Sequence, residues 1–181
     1  DLTALYSVVE LACKDWLETA RERNQAIHIA DFGSLPHIEA DALRLHQAFG
    51  NIIGNAVKFT PDGGRIEITA RQIESRDDQP EYVEVVISDT GVGIDPEEQE
   101  RIFDKFYRVE RPDFHSSSKT KFLGAGPGLG LTIAQGIVET HGGRIWVESP
   151  GHDLTRCPGS HFHILLPIRS AWGEFQEKQG L

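Results

Sequence analysis

Between Leu45 and Thr60 the chain reads LHQAFGNIIGNAVKFT, and no other stretch narrows the choice of fold as far. Leu45, Phe49, Ile52, Ile53 and Ala56 recur at the spacing of a helix with one buried stripe. Asn51 and Asn55 lie one helical turn apart on a common face, and Lys58, just beyond, shares it. At about 100° per residue this polar trio sits roughly opposite the apolar stripe. Such a helix, buried along one side and offering two amides and an ammonium on the other, is either an ordinary solvated face or half of a site. An amide carbonyl is a neutral oxygen ligand suited to Mg²⁺, and lysine is a point charge suited to phosphate.

The chain has 181 residues, enough for one domain with a full core and short of two comfortable ones. Its net charge of −10 argues against nucleic acid and against an anionic membrane surface, both of which it would repel. The same charge means that a bound anion must be held by local donors. Cys13 and Cys157 are far apart and match no CxxC pattern, which reads as two unpaired thiols in a reducing compartment. No apolar run approaches about 20 residues, and Asp1-Leu2-Thr3 does not open a signal peptide. A cytoplasmic location is expected, with no direct membrane contact by this part of the chain.

Upstream of the central stretch, Leu5, Val8, Val9, Ala12, Trp16 and Ala20 predict one amphipathic helix from about Thr3 to Arg23. Thr3 is its expected N-cap, with Arg21 and Arg23 at the C-terminal end of its dipole. Gln25 to Asp31 alternates and predicts a short strand, and Asp41 is a candidate cap for the central helix. That helix stops at Thr60-Pro61-Asp62-Gly63-Gly64. Two alternating runs follow, around Ile66–Arg71 and Val83–Ser88, and are expected to pair antiparallel. The second leads into Asp89-Thr90-Gly91-Val92-Gly93-Ile94, then Asp95-Pro96, read as an N-cap and first helical residue. From about Arg108 to Leu123 the pattern breaks down into a loop carrying Pro112, three consecutive serines and four basic residues. A helix to about Thr140, a stop at His141-Gly142-Gly143 and two last strands complete the order. His161 and His163 share a strand face, which reads as solvated rather than as a zinc site. The pattern predicts an α+β fold, with about three long helices on one face of a mixed, mostly antiparallel sheet.

The glycines exclude two phosphate-binding devices. There is no Gly-Lys pair, so no P-loop, and no glycine stands three residues after Gly93, Gly126 or Gly128, so no dinucleotide fingerprint. What remains around Gly124–Gly130 is a cluster that ends a loop and opens a helix, either an anion site or a flexible hinge. Asp89 before two glycines is a turn-former or an acceptor for an exocyclic amine, with Gly91 and Gly93 leaving room for a ring.

Taken together, NIIGNAVKFT (Asn51–Thr60), DTGVGI (Asp89–Ile94), IFDKFYR (Ile102–Arg108) and GPGLGL (Gly126–Leu131) resemble the four boxes of the ATP-binding catalytic domain of bacterial sensor histidine kinases. That domain belongs to the superfamily shared with gyrase-type, chaperone and mismatch-repair ATPases. The resemblance covers roughly Leu2 to Pro167 and implies a two-layer α/β sandwich over residues 1–168, an ATP lid at about 108–125 and a polar tail at 169–181. It implies that Asn55 coordinates Mg²⁺ with Asn51 beside it, that Lys58 reaches the phosphates, and that Phe59 lies near the nucleotide. Asp89 would accept from the adenine amino group, with Gly91, Gly93 and Ile94 against the ring. Arg108 would contact the terminal phosphate. Gly126, Gly128 and Gly130, with Leu129 and Leu131, would let the lid close.

The ATPase branches place a glutamate where Asn51 stands. An amide is a poor general base, which points to the kinase branch and to transfer rather than hydrolysis. The family's phosphoacceptor histidine precedes this domain on a helical hairpin, whereas the first histidine here is His28, in an expected strand. The expected partners are therefore the dimerisation and phosphoacceptor domain of the same kinase and a downstream response regulator. A stand-alone ATPase and a degenerate nucleotide-binding module are the alternatives.

Overall fold

The first twenty-odd residues do not form one helix. In the computed structural model, which describes residues 1–74, 79–105, 107 and 129–169, Leu2–Thr3 is a short strand (β1), followed by helices Leu5–Lys14 (α1) and Leu17–Glu22 (α2). Thr3 is buried and does not cap. Its hydroxyl donates to the Ala40 carbonyl at 3.1 Å, and Ala4 occupies the N-cap in extended conformation. The break between α1 and α2 falls at Trp16, whose indole N–H donates to the carbonyl of Gly50 at 2.9 Å. A part-buried indole N–H takes such a partner, and this one lies in the central helix. The ring lies so close to the central helix that a Cβ on Gly54 would stand 2.2 Å from it.

Strands Ala26–Ile29 (β2) and Ile38–Glu39 (β3) follow, and β3 pairs antiparallel with β1. The central helix spans Ala42–Phe59 (α3), and the Asp41 carboxylate caps it by accepting from the Arg44 N–H at 3.1 Å. Arg65–Ile73 (β4) and Tyr82–Asp89 (β5) form the expected antiparallel pair, with Ile68 opposite Ile87. The segment after Asp95 is not a regular helix but two 3-10 turns, Pro96–Glu98 and Arg101–Phe103. Asp95 does not cap them; its Oδ1 accepts from the His152 N–H at 2.9 Å. Helix Gly130–Thr140 (α4) and strands Arg144–Glu148 (β6) and Ser160–Pro167 (β7) complete the order.

The main sheet runs β2-β4-β5-β7-β6, parallel only between β2 and β4. One face presents Ile66, Ile68, Val83, Val85, Ile87, Phe162, Ile164 and Leu166, all fully buried. They form one core with Val9 and Ala12 of α1, Phe49 and Ile53 of α3, and Ala134 and Val138 of α4. The opposite face is polar. There His161 pairs with the Ser88 hydroxyl at 2.7 Å, and His163 stacks on Trp146 with ring centres 4.9 Å apart. Two layers thus place the exposed side of α3 and the C-terminal end of β5 at one end of the molecule. No described helix is long and apolar enough to cross a membrane.

Candidate functional site

Along α3 the apolar stripe is buried, while Asn51, Asn55 and Lys58 stay partly accessible on the other side. The Asn51 amide nitrogen donates to the carbonyl oxygen of Gly130 at 3.1 Å. A carbonyl can only accept, so this contact fixes which end of the amide faces α4 and leaves the Asn51 oxygen to face elsewhere. One contact thereby ties the middle of α3 to the first residue of α4. The start of α4 is also held by the Thr132 hydroxyl, which donates to the Phe103 carbonyl at 2.7 Å. Leu129 and Leu131 flank this start, half-buried.

The last turn of α3 is held from behind. The Arg23 guanidinium, 2% exposed, donates to the carbonyls of Val57 and Thr60 and pairs with Asp62 at 2.9 Å. The Gln25 amide donates to the same two carbonyls at 3.0 and 2.8 Å. On its far side, the Phe59 carbonyl accepts from the Val92 N–H at 3.1 Å, so the end of α3 and the turn after β5 are bonded to one another.

That turn begins at Asp89, which is buried. Its Oδ1 accepts from the Gly91 N–H at 2.9 Å, and the Ser160 backbone is a second donor. Burial outweighs these two bonds and pushes the carboxyl up to about 7 from its ordinary 3.8. The loop between β6 and β7 closes over the turn from outside. Gly159 N–H donates to the Gly91 carbonyl at 2.9 Å, and Asp153 N–H to the Val92 carbonyl at 2.7 Å. Ser149 joins the two segments, its hydroxyl accepting from the Ile94 N–H at 2.9 Å and donating to the Gly159 carbonyl at 2.8 Å.

Gly91 and Gly93 are needed here because other backbone lies against them. A Cβ at Gly91 would stand 2.4 Å from the Phe59 carbonyl oxygen, and one at Gly93 1.9 Å from that of Gly151. In both cases the place of the side chain is taken by backbone. Gly130 is different, since among the described residues a Cβ there would meet only Asn51, at 3.7 Å.

The residues expected to act together are therefore connected: Asn51 to Gly130, and Phe59 to the Asp89–Gly93 turn. Phe106, Arg108, Gly126, Pro127, Gly128, the lid expected at about 108–125 and the tail from residue 170 lie outside the described residues. Sequence reasoning missed Arg23, Gln25 and Ser149. Arg23 was expected at the C-terminal end of its own helix's dipole; its guanidinium instead meets carbonyls at the end of α3.

Chemically, the arrangement offers amide oxygens and an ammonium along one helix face and a buried carboxylate acceptor beside its end. These are local groups able to hold a polyanion on one side and a hydrogen-bonding ring on the other, despite the acidic chain.

The family described as histidine kinase-, DNA gyrase B- and HSP90-like ATPase matches residues 40–170. The signal transduction histidine-protein kinase/phosphatase MprB of Mycolicibacterium paratuberculosis is 38% identical over 157 residues, 85% of this chain. The chain spans only 27% of that relative. Full-length ShkA in complex with AMPPNP superposes with a TM-score of 0.73 at 28% identity, over 94% of this chain and 31% of that one. Histidine kinase ThkA in complex with the response regulator protein TrrA does so with 0.66 at 25% identity, over 93% and 41%.

Proposed function

The chain belongs to the histidine kinase-, DNA gyrase B- and HSP90-like ATPase family, and from that membership we propose that it is the part of a sensor histidine kinase that binds Mg-ATP and donates the γ-phosphoryl group. The observation that carries this reading is the junction of the Asp89 turn with the end of α3 through Phe59 and Val92. It brings an acceptor for the adenine amine next to the helix that carries Asn51, Asn55 and Lys58. Residues 1–168 form the domain: α1, upstream of the family match, supplies Leu5, Val8, Val9 and Ala12 to the same core.

Asp89 orients the base, and Lys58 balances charge on the phosphates. The Asn55 amide oxygen, with Asn51 beside it on the same face, is a neutral oxygen donor suited to a hard cation, so Asn55 would hold Mg²⁺, whose chemistry is to neutralise the charge of the transferred group. Asn51 has no basic lone pair, and its nitrogen is committed to Gly130. It cannot draw a proton from water, which supports transfer over hydrolysis. The nucleophile is a histidine on a separate dimerisation domain, and a response regulator receives the group next, as the ThkA complex with TrrA suggests by likeness.

Asn55→Ala tests the assignment. In calorimetric titrations the unmodified chain is expected to bind ATP about tenfold more tightly with Mg²⁺ than without it. The variant should bind Mg-free ATP unchanged and gain nothing from the cation. An equal gain in both would remove Asn55 from the metal site.

A further inference from the structure

We propose that Arg23 is a positioning residue for the nucleotide site, acting through the last turn of α3. The inference rests on the nucleotide reading above, and Arg23 lies outside the segment matched by the family.

A helix ends with carbonyls that have no intrahelical donor. At the end of α3 two such groups, on Val57 and Thr60, are turned inward, where water cannot satisfy them, and each receives one donor from Arg23 and one from Gln25. The guanidinium is planar and presents donors in a rigid fork, so one side chain can hold both carbonyls at a fixed separation. Its positive charge also sits where the helix dipole is negative. Burying a cation is costly unless its donors are met, and here they are met by two carbonyls and by Asp62. The Arg23 carbonyl in turn accepts from the Gly63 N–H at 3.0 Å, so the turn after α3 is folded back onto the same residue.

What this cap fixes is the segment between its two anchor points, which is Lys58 and Phe59. Phe59 passes the constraint on, because its carbonyl accepts from Val92 and a Cβ-less Gly91 is pressed against it. A shift in the last turn of α3 therefore moves Lys58 against the phosphates and the Asp89 turn against the base together. Arg23 meets the carbonyls of Val57 and Thr60, so its effect on the site passes through backbone.

Arg23→Lys keeps the charge but replaces three nitrogens, which donate separately to Asp62, Val57 and Thr60, with a single ammonium that lacks the rigid fork. The comparison is Val83→Ala, a core truncation at the far end of β5 from Asp89, at a urea concentration where both variants are folded to the same extent. Two readouts separate positioning from plain stability. The first, without nucleotide, is amide hydrogen exchange of Val92, expected to be about tenfold faster in Arg23→Lys than in Val83→Ala. The second is the ATP dissociation constant, expected to be about tenfold weaker in Arg23→Lys and unchanged in Val83→Ala. Gln25→Met, which removes donors from the same carbonyls without touching the charge, should move both readouts in the same direction by about threefold.

Equal Val92 exchange and equal ATP affinity in Arg23→Lys and Val83→Ala would overturn the role and leave Arg23 a stabilising residue. If the unmodified chain fails to bind ATP, the nucleotide reading falls and this role with it. Binding by the unmodified chain with no difference in Arg23→Lys overturns the positioning role alone.

Discussion

Asp89→Asn is expected to weaken ATP binding by about 100-fold or more and to remove most of the pH dependence of folding stability between about pH 4 and pH 8. The groups that surround this side chain are donors. Gly91 N–H and the Ser160 backbone already donate to it, and the adenine amine would be a third. A carboxylate can accept from all three, whereas an amide must turn its own N–H₂ toward one of them. The carboxyl sits at about 7 because it is buried, against an ordinary value of 3.8. The folded state therefore holds a proton that the unfolded chain has released. Stability from this group is fully present below about pH 4 and is lost as pH rises through about 7, by an amount on the order of 4 kcal/mol. Nucleotide affinity runs the other way, since an ionised Asp89 accepts from the amine and a protonated one competes with it. Binding at about pH 6 should then release a proton, visible as a dependence of the calorimetric heat on buffer. Urea midpoints at about pH 5 and pH 8 check the stability half. A difference between Asp89→Asn and the unmodified chain that stays constant across that range would contradict the account.

Gly93→Ala is expected to cost about 4 kcal/mol or more, lowering the melting temperature by roughly 8–16 °C. Two penalties add. Gly93 has φ +74°, in the left-handed region that a Cβ disfavours. The Cβ would also stand 1.9 Å from the Gly151 carbonyl oxygen and 2.9 Å from both the Pro158 ring and the Ser149 hydroxyl. Backbone cannot swing aside like the tip of a lysine. To make room, the loop between β6 and β7 would have to lift and break the bonds from Asp153 to Val92 and from Gly159 to Gly91. Those bonds hold the Asp89 turn in shape, so ATP binding should be lost in the molecules that still fold. Gly130→Ala serves as the comparison: among the described residues its Cβ meets only Asn51, at 3.7 Å, and its melting temperature should stay within roughly 3 °C of the unmodified chain. Equal losses in the two variants would show that flexibility, not packing, is what these glycines supply.

The central helix was legible because its period is strong and its ends carry chemistry. Asp41 does cap it, and Thr60 follows its last residue. The sheet was legible for the same reason, since residues of alternating polarity separate its buried and open faces. The segment from Thr3 to Arg23 misled because Trp16 fits the apolar spacing of one continuous helix. Nothing in that spacing records that its indole N–H must find the Gly50 carbonyl, which lies in another helix. The same holds at Asp95, a good cap by type whose carboxylate is taken by His152 N–H instead. Gly91 and Gly93 were read as leaving room for a ring, and a one-dimensional pattern does not show that the backbone of Phe59 and Gly151 lies against them. Arg23 was the least legible of all. Its partners are carbonyls of Val57 and Thr60, brought near only by the fold, and a carbonyl leaves no mark on the identity of the residue that bears it.

Transfer is followed through the γ-phosphoryl group itself. The chain is incubated with Mg-ATP labelled in that group, with and without a separately produced histidine kinase dimerisation domain carrying a phosphoacceptor histidine. Acid-labile, alkali-stable label is expected on that domain, formed at least about 100-fold faster than the chain alone releases inorganic phosphate, because Asn51 supplies no base for water. Steady release of phosphate by the chain alone, with no label on the histidine, would contradict it.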